Sequence, residues 1–116
     1  MRVAVVGSRT FMDYAAMCQT LDRLPVTEIV SGGARGADKL AERYAHERSL
    51  PVRVFLPKHQ LDRSVPYHAK WYLDRNREIV DYADHVVAFW DGHSKGTRYT
   101  IDYATRTGAP VTVETT

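Results

Sequence analysis

A single cysteine, Cys18, leaves no partner for an intrachain disulfide and excludes a disulfide-stapled secreted scaffold. It falls among the apolar positions of a helical pattern, as a small buried hydrophobe would, and a reducing, cytoplasmic setting is expected. No apolar run approaches the roughly 18 residues of a membrane span, so no membrane partner is expected. The opening Met1 to Gly7 is too short for a signal peptide. Charge of one sign is also lacking. Sixteen Lys and Arg stand against 14 Asp and Glu, a net +2, well below the excess of a dedicated duplex-DNA binder. Nucleic-acid binding is therefore not the first expectation, and it would have to rest on local clusters. The five histidines, His46, His59, His68, His85 and His93, show no metal-ligand spacing, and neither metal nor cofactor is expected. Repeats, linkers and low-complexity tracts are absent. The 116 residues, 44% hydrophobic and 26% charged, are enough for one domain around one core.

What is present is alternation. Residues 2–6 form a continuous β-branched run ending at Gly7, the pattern of a parallel strand buried on both faces. A helical period follows from Asp13 to Leu24, with Ala16, Met17, Leu21 and Leu24 on one face and Pro25 as the stop. The cycle repeats: a strand to Ser31, a helix carrying Ala37, Leu40, Ala41, Tyr44 and Ala45, and a strand over 51–56. Residues 57–66 are polar and irregular. A helix over 67–82, a strand over 84–90, a helix over 97–107 and a strand over 110–113 complete the chain. The expected fold is a single α/β, Rossmann-like three-layer domain. Its five parallel strands take the order 3-2-1-4-5, with helices on both faces.

In such a sheet ligands bind outside the carboxyl ends of the strands. Each strand-to-helix loop there carries a cation: Arg9 in Ser8-Arg9-Thr10, Arg35, then Lys58 and Arg63, then Lys95. Two loops add glycine, whose bare backbone can approach an anion and aim N–H groups at it. One is Ser31-Gly32-Gly33-Ala34-Arg35-Gly36-Ala37-Asp38, the other Asp91-Gly92-His93-Ser94-Lys95-Gly96-Thr97. Neither is a dinucleotide fingerprint or a Lys-bearing phosphate loop, and Ser8 and Ser31 lack a nucleophile elbow. Together they point to an anion-binding crevice between the first and fourth strands. Arg9 is the first expected phosphate contact, because its planar fork can donate two hydrogen bonds to one phosphate.

Asn76 interrupts an apolar helical stripe of Tyr72, Leu73, Ile79, Val80 and Ala83, and a buried amide needs partners. It either braces a loop or reaches the ligand, with Arg75 beside it at the margin, and the start of that helix is positioned to overhang the crevice as a lid. Phe11, Tyr67 and Trp90 fall near the rim, where stacking on a base and ordinary packing are both open to them. Tyr14, Trp71, Tyr72, Tyr99 and Tyr103 supply aromatic surface for a homodimer through helix faces.

The residues Gly7-Ser8-Arg9, Ser31-Gly32-Gly33-Ala34-x-Gly36-Ala37-Asp38, Arg75-Asn76 and Ser94-x-Gly96-Thr97, in that order, resemble the SLOG superfamily. The likeness is nearest to its small stand-alone branch related to YspA and YpsA. It implies binding of a nucleotide-derived small molecule. It implies a ligand set of Gly7, Ser8, Arg9, Thr10, Phe11, Ser31, Gly32, Gly33, Ala34, Arg35, Gly36, Asp38, Arg75, Asn76, Trp90, Asp91, Gly92, Ser94, Lys95, Gly96 and Thr97. The superfamily also holds the LOG phosphoribohydrolases and the DNA-uptake protein DprA. Arg75 resembles the LOG arginine near the scissile ribosyl bond, and Gly96-Thr97 their phosphate loop. Thr100 stands where those enzymes place a glutamate, and Gly92-His93-Ser94 replaces their Pro-Gly-Gly, so hydrolysis would need Asp38 or Asp91 as the carboxylate. The expectation is a sensor or sequestering protein for an adenine nucleotide, an ADP-ribose or NAD derivative, or a cyclic nucleotide. N-ribosyl hydrolysis is the alternative and single-stranded nucleic-acid binding the second alternative.

Overall fold

The computed structural model describes all 116 residues. β1 (Arg2–Gly7) leads to α1 (Tyr14–Leu21), β2 (Glu28–Ser31) to α2 (Ala37–Glu47), and β3 (Val52–Val54) to α3 (Lys58–Leu61) and α4 (Lys70–Tyr82). β4 (His85–Trp90), α5 (Lys95–Thr107) and β5 (Val111–Thr115) follow. All pairings are parallel and the sheet order is β3-β2-β1-β4-β5, as the alternation requires.

The pleat divides the β1 run between two cores. Val3 and Val5 point to one face, with Ile29, Val87 and Phe89, against Met17 and Leu21 of α1 and Tyr44 of α2. Ala4 and Val6 point to the other, with Val30, Val86 and Ala88, against Ile79, Val80 and Ala104 of α4 and α5. A strand at the centre of the sheet has no solvent face, which is why it carries no alternation. Ala37, Ala41 and Ala45, four residues apart on α2, are fully buried and let that helix lie close to the sheet. Each fully buried Val, Leu or Ile contributes about 1.5–3 kcal/mol.

Several boundaries differ from the sequence reading, for local reasons. α1 ends at Leu21, and the chain turns through Leu24 N–H to Leu21 O (3.0 Å) before Pro25, which disfavours helical geometry in the residue ahead of it. β3 keeps only Val52–Val54, pairing with β2 alone as an edge strand. The stretch expected to be irregular contains the four-residue helix α3, so there are five helices rather than four. α4 starts at Lys70, where His68 Nδ1 accepts from the Lys70 N–H at 3.0 Å. α5 starts at Lys95, capped by the Ser94 hydroxyl, and ends at Gly108 in the left-handed conformation (φ 78°). No helix is long and apolar enough to cross a membrane.

Candidate functional site

The loops after β1 and β2 are locked together. Ser8 O accepts from both Phe11 N–H and Ala37 N–H (3.2 Å each), and Ser8 N–H donates to Phe89 O on β4 (3.2 Å). Gly36, at φ +75°, lies so close that a Cβ there would stand 2.4 Å from Ser8 O and 2.6 Å from Arg9 O. A Cβ on Gly7 would meet Phe89 O at 2.6 Å and the Ala37 methyl at 2.8 Å. Both positions therefore require glycine for lack of room. The clamp holds Ser8 and Thr10 with their hydroxyls 2.8 Å apart and leaves the Arg9 side chain exposed above the sheet edge.

Arg75 reaches into the site from α4. It is 7% exposed, not marginal, and Nη1 donates to Gly32 O (2.6 Å) and Phe55 O (3.3 Å) while Nε donates to Asn76 Oδ1 (2.9 Å). Asn76 thus braces the guanidinium and also faces the cavity. Burial lowers the Arg75 pKa, opposed by Asp38, yet a guanidinium stays protonated. Asp38 is also buried, and its Oδ2 accepts from Ala34 N–H at 3.1 Å. Burial pushes this carboxyl above its ordinary range, against the backbone N–H of Ala34 and the charge of Arg75.

On the opposite wall the loop after β4 forms the start of α5. Asp91 Oδ1 accepts from the N–H groups of Ser94 and His93 (2.8 Å each), which hold its carboxyl below the usual range. Trp90 Nε1 donates to Ser94 O at 3.1 Å, so the indole fastens the loop. In the first turn of α5 the N–H groups of Lys95 and Gly96 have no acceptor in the chain, and nothing lies within 4 Å of a Cβ built on Gly96. These N–H groups stand at a helix start, with the positive end of the helix dipole behind them.

These walls enclose a cavity of about 380 Å³. It is within the range of small-ligand sites. Gly7, Ser8, Arg9, Thr10, Ala34, Asp38, Arg75, Asn76, Asp91, Ser94, Gly96 and Thr97 line it together. The other expected residues lie elsewhere. Phe11 stacks on Phe89 in the core at 4.7 Å, and Ser31 is fully buried with its hydroxyl donating to Glu42 Oε2 at 2.9 Å. Gly32, Gly33 and Gly36 shape the loop from behind, Trp90 packs under it, and Arg35, Gly92 and Lys95 lie outside the cavity wall. Tyr72, Ile79 and Thr100 line the cavity without having been singled out as contacts. The signal for Tyr72 was present, because Tyr72, Arg75, Asn76 and Ile79 share one helical face. Its ring centre lies 6.0 Å from the Arg9 guanidinium carbon and 5.6 Å from that of Arg75.

Residues 1–61 match the model of the YspA, cpYpsA-related SLOG family. The chain belongs to this family. The Gene 61 protein of Mycobacterium phage D29 is 37% identical over 118 residues, spanning 95% of this chain and 93% of the phage protein. Among solved structures, DNA processing protein A (DprA) from Streptococcus pneumoniae superposes with a TM-score of 0.75 at 23% identity, over 97% of this chain and 49% of DprA. DprA from Helicobacter pylori, described for its single-stranded DNA binding mode, superposes with a TM-score of 0.71 at 22% identity, over 97% of this chain and 64% of that one. This SLOG chain therefore spans about half to two thirds of the DprA chains it matches, and at those identities the likeness is one of fold.

Proposed function

We propose that the protein binds a nucleotide-derived small molecule in the cavity between β1 and β4, as a sensor or sequestering protein. One observation carries this reading: Arg9, the Ser8 and Thr10 hydroxyls and Gly96, whose N–H has no acceptor in the chain, surround one small cavity with buried Arg75 on its far wall. That set supplies positive potential and N–H and hydroxyl donors for a phosphate, held in place before the ligand arrives. The carboxylates are less suited to hydrolysis. One oxygen of Asp91 is committed to two loop N–H groups, and buried Asp38 has one oxygen committed to the Ala34 N–H, so each carboxylate already serves to hold a loop. Calorimetry against nucleoside monophosphates, ADP-ribose, NAD and cyclic nucleotides tests the proposal. Binding of one ligand per chain, recovered unchanged by chromatography, is the expected result. No binding across the panel overturns it, and release of free base replaces it with N-ribosyl hydrolysis.

A second reading, single-stranded nucleic-acid binding, is favoured by the surface beside the cavity. Trp71 carries the ammonium groups of Lys58 and Lys70 at 5.0 and 4.6 Å from its ring centre, and Tyr67 is 67% exposed. Alternating aromatics and cations suit stacked bases and their phosphates. Affinity for an oligonucleotide that falls steeply with salt, while mononucleotide affinity barely changes, would establish this reading.

A further inference from the structure

A second cavity of about 410 Å³ lies across the β1–α1 loop from the first, and the two share Ser8 and Thr10 as a common wall. Its chemistry is different. The first cavity is lined by two guanidiniums, whereas no Lys, Arg or His lines the second. Instead it is built from the apolar Phe11, Met12 and Ala16, the Thr20 hydroxyl and two carboxylates, Glu114 and Asp13, of which Asp13 caps α1 by accepting from the Ala16 N–H at 3.0 Å. Glu114 sits on β5 opposite Phe89 of β4, half-buried, and its one recorded hydrogen bond is from Thr20 Oγ1 at a long 3.4 Å. No cation pairs with it. A carboxylate has about four lone-pair sites, so this one has acceptor capacity to spare, facing a cavity whose walls mix apolar side chains with hydroxyls.

We infer that this second cavity receives a ribosyl group, through two sugar hydroxyls donating to Glu114, and that the ligand is two-headed, its bridging phosphates crossing the Ser8–Thr10 hydroxyl pair. The inference rests on the phosphate site proposed above. A carboxylate with neither cation nor short hydrogen bond repels a phosphate and suits neighbouring hydroxyl donors, as the acidic residue of a dinucleotide site does for a ribose. Met12, 85% exposed, can cover the apolar face of the ring attached to the sugar. Ser8 and Thr10, their hydroxyls 2.8 Å apart, line both cavities, and phosphates linking two nucleosides would run across them. A mononucleotide would fill the first cavity alone. The favoured ligand class is a pyrophosphate-linked one with a ribose at its far end.

The test compares AMP, ADP-ribose and NAD on the parent, Glu114→Gln and Ala16→Leu, with folding checked by circular dichroism. The parent should bind at least one of the two-headed ligands tenfold or more tightly than AMP. Glu114→Gln should remove most of that gain and leave AMP affinity unchanged. Ala16→Leu, which narrows the cavity without touching the carboxylate, should do the same and stands in if the first variant fails to fold. A parent that binds AMP as tightly as both two-headed ligands overturns the inference, as does a gain that survives in the folded variants. A parent that binds none of the three removes the phosphate-site reading itself.

Discussion

Two glycine-bearing walls face each other across the cavity, and their glycines exist for opposite reasons. On the β1–β2 side, Gly7, Gly32 and Gly36 have no room for a methyl group: backbone carbonyls or the Arg75 guanidinium lie 2.4–2.7 Å from where it would sit. On the β4–α5 side, Gly92 and Gly96 have nothing within 4 Å. The first wall is closed by its own packing, and the second is left open at a helix start with spare N–H groups. Glycines in such loops therefore differ in physical meaning: close approach of protein to protein at Gly36, a left-handed turn at Gly92 (φ +83°) and open space beside a helix start at Gly96.

The most disruptive way to break this contrast is Gly36→Ala. It would impose left-handed strain of about 1–3 kcal/mol and overpacking of a similar size against Ser8 and Arg9. The sum, about 2–6 kcal/mol, is a large part of the 5–15 kcal/mol that holds a typical domain. Denaturant unfolding should show the loss. A variant as stable as the parent would mean that the two loops are not clamped.

Arg75→Ala should come next, costing about 1–3 kcal/mol because it leaves the Gly32 and Phe55 carbonyls without their donor. It should weaken ligand binding as well, joining stability and function in one residue. Arg9 separates them. It is exposed and holds nothing in place, so Arg9→Ala should leave unfolding unchanged while ligand affinity falls roughly tenfold. Arg9→Lys should recover only part of the affinity, since lysine keeps the charge and loses the fork. Arg23→Ala, in the turn after α1, is the control that should change neither. Calorimetry on folded Arg9→Ala with parental affinity would move the anion site away from the end of β1.

The difference between these two arginines shows where sequence reading stopped. Ser8 and Arg9 were legible because a buried strand ending in Gly7 fixes them at the sheet edge whatever the rest of the chain does. The sheet order was legible for the same reason, since short strands alternating with helices leave few topologies. Arg75 was placed at the margin because its burial depends on Gly32 and Phe55, 43 and 20 residues away in sequence. Helix α3 escaped notice because four residues carry no period. The Glu114 cavity was invisible for a stronger reason: it forms only when β5 pairs with β4 and α1 lies across them, a juxtaposition no local pattern encodes.

Asp38 gives the closed wall a pH signature. Its folded pKa is raised, so the native state holds the proton more tightly than the unfolded chain, whose aspartates titrate near about 3.9. The resulting stability is fully present below that unfolded value and is lost as pH rises through the folded one. Unfolding measured from about pH 4 upward should therefore show the parent losing stability relative to Asp38→Asn, with the two curves running parallel once Asp38 is ionised in both states. Parallel curves from the start would mean that burial does not raise this carboxyl.

The smallest expected effect on the fold belongs to the open wall, and it is the sharpest contrast with Gly36. Gly96→Ala adds a methyl group where nothing stands within 4 Å, at a helical position in the first turn of α5. Alanine is the better helix former, so stability should stay level or rise by less than about 1 kcal/mol. The same methyl group would add bulk at the place assigned to the phosphate and hold it off the Gly96 N–H. Nucleotide affinity should accordingly fall several-fold in a protein no less stable than its parent, whereas Gly36→Ala loses the fold and the site together. Should Gly96→Ala bind as tightly as the parent, the start of α5 is not the anion site, and Arg9 and Arg75 must hold the phosphate without it.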